Sequence, residues 1–131
     1  MSTLRVSTIQ DTAGSNSSTP AAIANGIAKA WVNFNGTGTV AIRAQYNVSS
    51  ITDNGVGDYY VNLSTAMSDA NYGAHVTTQS SPADGPDSPC VFYNRTANVK
   101  ENPTTSSYRL CITASNGIAK DRDYVCTSVF R

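Results

Sequence analysis

Charged residues are scarce in this chain, and neither sign is in excess. Nine Lys and Arg residues balance nine Asp and Glu residues among 131, so the formal net charge is zero. A protein that binds nucleic acid needs a basic face to neutralise phosphates, and the few charges here are scattered. We therefore expect no nucleic-acid partner.

Long apolar runs are lacking as well. The apolar stretches fall far short of the roughly 20 residues that a membrane-spanning helix needs, so we expect no membrane insertion. Residues 1–20 hold one Arg and no apolar core segment. We therefore expect no secretory signal, and a protein that is made and used without export.

Residues that carry chemistry are few. The one histidine, His75, lies in a strand-like stretch with no second His or Cys at ligand spacing, and we interpret it as a strand residue on a solvated face. A carboxylate pair for glycoside cleavage can be imagined among Asp53, Asp58 and Asp69. Each of them, however, stands where turns favour Asp, because its side chain caps the local backbone.

Nucleophile and phosphate motifs are lacking too. No serine has a nucleophile-elbow context, and no glycine-rich segment opens a helix as a phosphate loop must. The sequence therefore predicts a protein that is not an enzyme and that holds no cofactor and no metal.

The number of cysteines is odd, since the chain has three. A disulfide framework in a small secreted domain uses an even number. We therefore interpret Cys90, Cys111 and Cys126 as small, half-buried strand residues. A bridge between Cys111 and Cys126, if their strands are neighbours, stays open as an alternative, although it would strain ordinary ladder geometry.

Most of the chain consists of segments in which apolar and polar residues alternate, as in β-strands, separated by turn sequences. In the first predicted strand, Ala28, Ala30, Val32 and Phe34 share one face, and Trp31 lies on the other. Asn-Gly and Asp-Asn-Gly sequences at 35–38 and 53–55 predict hairpin turns on either side of a second strand at 40–46.

After the second turn, Tyr59, Val61 and Leu63 form the inward face of a third strand. Further strands are predicted at 72–78, 90–94, 108–114 and 122–130. The helix-compatible segments, 19–23 and 64–70, are too short to matter. The pattern therefore predicts an all-β fold, a compact antiparallel β-sandwich or barrel-like module.

The first 26 residues differ in character from the rest. Leu4 and Val6 alternate, Ile9 is slightly out of phase, and Asp11–Pro20 is rich in Ser, Thr, Asn and Gly. We interpret residues 1–26 as an extended N-terminal attachment arm and linker, with Leu4, Val6 and Ile9 as its contacts. Residues 27–131 then form the β-rich fibre or knob module.

Exposed aromatic side chains and long loops are the candidate contact points. The loops 79–89 and 94–107 are polar, and the first is rich in proline, so neither enters a sheet readily. The candidates for receptor contact are Trp31, Tyr60, Asp84, Asp87, Lys100 and Glu101. The alternative, equally weighted, is that the loops are connections or subunit contacts.

Several segments resemble a module of tail-fibre and virion proteins of tailed bacteriophages, marine phages in particular. They are GIAKAWVNFNGTG (26–38), NVSSITDNG (47–55), GDYYVNL (57–63), AMSDANY (66–72), the closing DYVCTSVF (123–130) and the opening STLRVSTIQD (2–11). The resemblance covers most of the chain, but not the loops at 79–107.

The resemblance implies a β-rich module that commonly assembles as a homotrimer on the virion, and it implies no catalytic residues. We therefore expect a virion protein assembled in the host bacterial cytoplasm, which contacts other virion proteins through its N-terminal arm. A tail-fibre or tail-tip role with a host glycan or protein as receptor is favoured. A capsid decoration or head-fibre protein is the alternative, and a small polysaccharide-active enzyme is the third hypothesis.

Overall fold

The computed structural model describes residues 2–79, 83, 85–94 and 97–131. Within these residues every strand pair is antiparallel, so the all-β prediction is confirmed. The elements, in chain order, are α1 (Pro20–Gly26), β1 (Ala30–Asn35), β2 (Ala41–Tyr46), β3 (Val48–Asp53), β4 (Asp58–Leu63), β5 (Gly73–Thr78), β6 (Cys90–Val91), β7 (Tyr93–Asn94), β8 (Val99–Lys100), β9 (Ser107–Cys111) and β10 (Val125–Phe130).

Eight of these strands form two four-stranded sheets. Sheet I has the order β2-β1-β10-β5 and sheet II the order β3-β4-β9-β6, while β7 and β8 pair as a separate hairpin. The late strands β10 and β9 lie in the interior of sheets I and II. Each sheet keeps two edge strands, and the two sheets together form a sandwich.

The core lies between the inward faces of the two sheets. Because side chains alternate along a strand, the predicted inward residues Val32 and Phe34 of β1 meet Tyr59 and Val61 of β4, and all four are at most 1 % exposed. The rings of Phe34 and Tyr59 meet edge to face, with centroids 5.2 Å apart. Burying side chains of this size contributes about 1.5–3 kcal/mol each.

The chain passes from sheet I to sheet II at Asn47, where φ is +55°. Asparagine tolerates this left-handed region better than most residues. Its side-chain amide donates to the backbone oxygens of Lys29 and Thr65 at 3.1 and 3.2 Å, and its side-chain oxygen accepts from the Thr65 amide at 2.7 Å. The prediction of one strand at 40–46 between the turns at 35–38 and 53–55 was therefore incomplete, because β3 lies between that strand and the second turn.

A second break divides the predicted strand at 90–94. Phe92 has φ +60°, so the chain turns there and leaves β6 in sheet II and β7 in the small hairpin. One continuous strand was therefore the wrong expectation for this segment. The change of direction places the β7–β8 hairpin so that Glu101, just after β8, reaches Arg109 on sheet II.

Residues 2–27 contribute no buried side chain. Ile9 and Ser18 exchange two backbone hydrogen bonds of 2.8 Å, and α1 follows, so this segment is not extended throughout. The helix-compatible segment 19–23 was expected to be too short to matter. A seven-residue helix nevertheless forms, because the Thr19 hydroxyl accepts from the Ala22 amide at 3.1 Å and Pro20 occupies a first-turn position that suits proline.

Candidate binding face on sheet I

The outward side of sheet I carries a row of side chains that crosses all four strands. Burial of Val32 and Phe34 turns Trp31 and Asn33 of β1 outward. The register places Trp31 opposite Tyr46 on β2 and Ser128 on β10, and it places Ser128 opposite His75 on β5. The row Tyr46–Trp31–Ser128–His75 therefore spans the sheet.

A second row runs parallel to the first, and we call the two rows together the sheet I face. Its members are Ala44, Asn33, Cys126 and Thr77, in that order across the strands. A shallow depression of about 350 Å³ lies over Trp31, Asn33, His75, Thr77, Cys126 and Ser128. The Asn33 amide is 3.3 Å from the Cys126 sulfur.

Large aromatic surface is exposed on the sheet I face. Trp31 is 41 % exposed and Tyr46 is 57 % exposed, and His75 is exposed beside Phe130, with ring centroids 5.9 Å apart. The prediction that Trp31 and His75 lie on a solvated strand face is confirmed.

Charge at the margin of this face is neutralised locally. Arg43, at a register shift of β2, forms an ion pair with Asp123. Its guanidinium carbon also lies 4.1 Å from the ring centroid of Tyr124. The face itself therefore presents aromatic rings, an amide and hydroxyls, with one histidine as its basic group.

This combination suits binding more than bond cleavage. Flat aromatic rings stack on sugar rings or on apolar protein surface, and neighbouring amides and hydroxyls supply directional hydrogen bonds. His75 and Ser128 face each other, but neither has a carboxylate within the two rows. In the part of the chain that the structure describes, no three His, Cys, Asp or Glu residues are grouped so as to hold a metal ion.

Sheet II brings two other predicted contact residues, Tyr60 and Glu101, together with Arg109 and Asp58, which were not predicted as contacts. Tyr60 donates a hydrogen bond to Glu101, whose carboxylate also accepts from Arg109 at 2.9 Å. Arg109 in turn holds Asp58 through two bonds, Nε–Oδ1 at 2.7 Å and Nη2–Oδ2 at 2.5 Å. Its guanidinium carbon lies 5.2 Å from the centre of the Tyr60 ring.

The polar groups of this cluster bond to one another, and its central ion pair is buried. The side chains of Arg109 and Asp58 are 8 % and 6 % exposed. The hydrogen bonds from Arg109 to Asp58, and secondarily to Glu101, raise the pKa of the guanidinium and keep it charged despite burial. Tyr60 and Glu101 remain predicted receptor contacts, but their polar groups are already used within the sandwich.

The interpretation of Asp58 as a turn cap was therefore wrong, because its carboxylate binds Arg109. The other two aspartates do cap turns as predicted. Asp53 accepts from the Gly55 amide and Asp69 from the Asn71 amide, both at 2.8 Å. The bond from Asn71, and then Arg131, holds the pKa of Asp69 below its ordinary value. Strand spacing gave no signal that a charge at position 58 would meet one at 109.

The remaining predicted contacts have different outcomes. Lys100 is exposed in β8. Asp87 is not available as a surface contact, because its side chain is 3 % exposed and binds Arg122 and the Thr78 hydroxyl. Asp84 lies outside the described residues. The predicted attachment residues Leu4, Val6 and Ile9 are 86 %, 43 % and 52 % exposed.

The open alternative of a Cys111–Cys126 bridge is contradicted. Cys111 belongs to β9 in sheet II, and Cys126 to β10 in sheet I, so their strands are not neighbours. Cys111 instead lies opposite Cys90 on β6.

Comparison with protein-family models, with curated proteins and with solved structures finds no match to this chain. The described residues contain no helix with the length and apolar character needed to cross a membrane.

Proposed function

We propose that the chain is a structural component of a bacteriophage virion, a tail-fibre or tail-tip protein that contributes to host attachment. The observation that carries the proposal is the N-terminal segment, residues 2–27, which buries none of its side chains. Leu4, Ile9 and Ile27 are 86 %, 52 % and 56 % exposed there. A partner that covers these side chains would supply the burial that the chain itself does not give them.

The resemblance to phage fibre modules supports the same assignment. Its quoted segments include β1, β4 and β10, which supply much of the buried core. The segments that carry the resemblance therefore include residues that build the core of the sandwich, while the segment 79–107 lacks the resemblance.

A homotrimer is part of the proposal, and the edge of sheet I supports it. All six residues of β2 are exposed, and among the described residues β2 pairs only with β1. An open edge strand invites further pairing, and a closed cyclic oligomer covers it without continuing into a fibre. Light scattering on the purified protein is expected to give three times the 13.8 kDa chain mass. A monomer at assembly concentrations would remove the trimer from the proposal.

Host contact is assigned to the sheet I face, with Trp31 at its centre. Three copies of a weak site on each fibre raise the effective concentration of the remaining sites once one has bound. The receptor class is a surface glycan or protein that accepts stacking on Trp31 and Tyr46.

Deletion of residues 1–20 tests the attachment role. Since residues 2–20 bury no side chain, the truncated protein is expected to keep the β-sheet signal of the full chain in circular dichroism. The helical signal of α1 is expected to weaken, because its cap Thr19 and its first residue Pro20 are removed. The truncated protein is also expected to disappear from purified particles, as measured by mass spectrometry. The matched variants are a Leu4→Ser, Val6→Ser, Ile9→Ser triple, expected to fail in the same way, and Ser7→Ala, expected to incorporate normally. Normal incorporation of the truncated chain would sink the proposal.

A further inference from the structure

Two of the three cysteines lie directly opposite each other on sheet II. Cys90 on β6 and Cys111 on β9 are register partners in an antiparallel pair, and their thiols are hydrogen-bonded. Two residues along, the Phe92 amide donates to the Arg109 oxygen. The alternation of the ladder therefore makes Cys90–Cys111 a hydrogen-bonded pair, for which the Cα separation is about 5.5 Å.

That separation falls in the range that a disulfide accepts, about 4.4–6.8 Å between Cα atoms. The strain that a bridge between neighbouring strands places on the ladder makes the bond easier to reduce, in keeping with a reversible disulfide. Both side chains leave the sheet on the same side, since they are opposite each other in register. The third cysteine, Cys126, lies on sheet I and is the register partner of Asn33 and Thr77. Of the three cysteines, Cys90 and Cys111 are therefore adjacent, and Cys126 lies apart from them.

We propose that Cys90 and Cys111 form a reversible intrachain disulfide when the folded protein meets a low-molecular-weight disulfide such as oxidised glutathione. The Cys90 sulfur attacks one sulfur of the reagent, a mixed disulfide forms, and one thiolate leaves. Cys111 then gives up its proton, and its sulfur attacks the Cys90 sulfur and expels the second thiolate. Two protein thiols are oxidised, and one reagent disulfide is reduced to two thiols.

The environment of the two sulfurs assigns the order of attack. Cys90 is partly exposed, whereas Cys111 is 1 % exposed. The hydrogen bond from Cys111 lowers the pKa of the Cys90 thiol to about 7, against the opposing effects of burial and of the Asp58 carboxylate. A substantial share of Cys90 is therefore thiolate near neutral pH, and the thiolate is the form that reacts. Cys90 attacks, and Cys111 resolves the mixed disulfide.

The Cys90–Cys111 disulfide would link the short strand β6 covalently to β9. β6 has two residues and lies at the edge of sheet II, where β9 is its one partner among the described strands. A bridge to Cys111 closes the segment from 90 to 111, which contains the β7–β8 hairpin and Glu101. In the proposed virion role, the pair stays reduced in the host cytoplasm and oxidises after release. The chemistry itself does not depend on that role.

Peptide mapping of wild-type protein tests the proposal, because trypsin places each cysteine in its own peptide. The three peptides are 44–95, 110–120 and 123–131. After incubation of the folded protein with oxidised glutathione and alkylation of the remaining thiols, 44–95 is expected to be linked to 110–120. Only Cys126 should be alkylated, and the chain should run as a monomer on a non-reducing denaturing gel. The disulfide should raise the Tm, and dithiothreitol should reverse that rise.

Two variants sharpen the test. Cys126→Ser keeps the pair and should behave as wild type, whereas Cys111→Ser should stop at a stable glutathione adduct on Cys90. Three alkylated cysteines in treated wild-type protein would overturn the proposal. A glutathione adduct that persists on wild-type Cys90, or a bond that involves Cys126, would overturn it as well.

Discussion

Asp58 is the residue whose loss should reveal most about how the sandwich is held together. Its carboxylate binds the Arg109 guanidinium at 2.7 and 2.5 Å, and the two side chains are 6 % and 8 % exposed. Asp58→Asn keeps the size of the side chain but removes its charge and turns one acceptor into a donor that faces N–H groups. The variant therefore leaves a buried cation with a single carboxylate, that of Glu101.

The expected cost follows from that geometry. Removal of one partner from a buried ion pair costs about 3–5 kcal/mol. Glu101 stays bonded to Arg109 at 2.9 Å and is 26 % exposed, so Arg109 keeps part of its compensation. We expect the lower end of the range, a loss of about 3 kcal/mol in the free energy of unfolding.

Urea unfolding followed by circular dichroism, with linear extrapolation, measures this loss. Asp53→Asn is the matched control, since the same change on the exposed turn before β4 should stay within about 0.5 kcal/mol. The double variant Asp58→Asn, Arg109→Met removes both charges and should recover most of the loss. The reasoning is refuted if Asp58→Asn behaves like Asp53→Asn, or if the double variant is as unstable as the two single changes added together.

Three further changes test other parts of the structure. Gly57→Ala should destabilise the protein far more than Gly38→Ala. Both glycines have positive φ, which costs alanine about 1–2 kcal/mol, but only at Gly57 would a Cβ lie 2.4 Å from the Ile112 oxygen. Equal urea midpoints for the two variants would contradict this contact. Burial raises the pKa of Tyr59, Tyr72 (to about 12) and Tyr108. Above pH about 10, the unfolded chain therefore loses protons that the native chain keeps. The free energy of unfolding should then fall by about 1.4 kcal/mol per pH unit for each such tyrosine. A urea midpoint that does not move between roughly pH 9 and 11 would refute this linkage. Trp31→Ala should lower stability, because more than half of the side chain is covered, but the folded variant should adsorb less to host cells. Ile118→Ala, at a residue that is 55 % exposed in the loop after β9, should leave adsorption unchanged. Equal adsorption by both variants would withdraw the sheet I face as the contact surface.

The local alternation of apolar residues predicted much of the sandwich. Val32 and Phe34 of β1, and Tyr59 and Val61 of β4, are buried as their spacing indicated. Those predictions succeeded because the side chains of a half-buried strand alternate between its two faces, so every second residue is apolar. The strand breaks at Asn47 and Phe92 escaped prediction, since a single residue with positive φ leaves the apolar pattern on either side intact.

The candidate sites were less accessible to sequence reasoning, because they depend on contacts between distant residues. Trp31 was placed correctly on an outward face, but its neighbours His75 and Ser128 come from strands 44 and 97 positions along the chain. The same holds for the bond between Asp58 and Arg109, which the antiparallel register of β4 and β9 creates. Asp87 was taken for a surface residue because its loop is polar, whereas Arg122 draws it inward.

Gold labelling of purified phage particles, with an antibody against residues 97–107, tests the central claim most directly. These residues run from the turn before β8 to the first residue of β9 and are largely exposed, so the antibody should reach them in the assembled particle. The proposal predicts label at the tail tip, and label over the head would replace it with the capsid decoration alternative. Particles that carry neither the label nor the protein, from cells that express it, would contradict a virion role altogether.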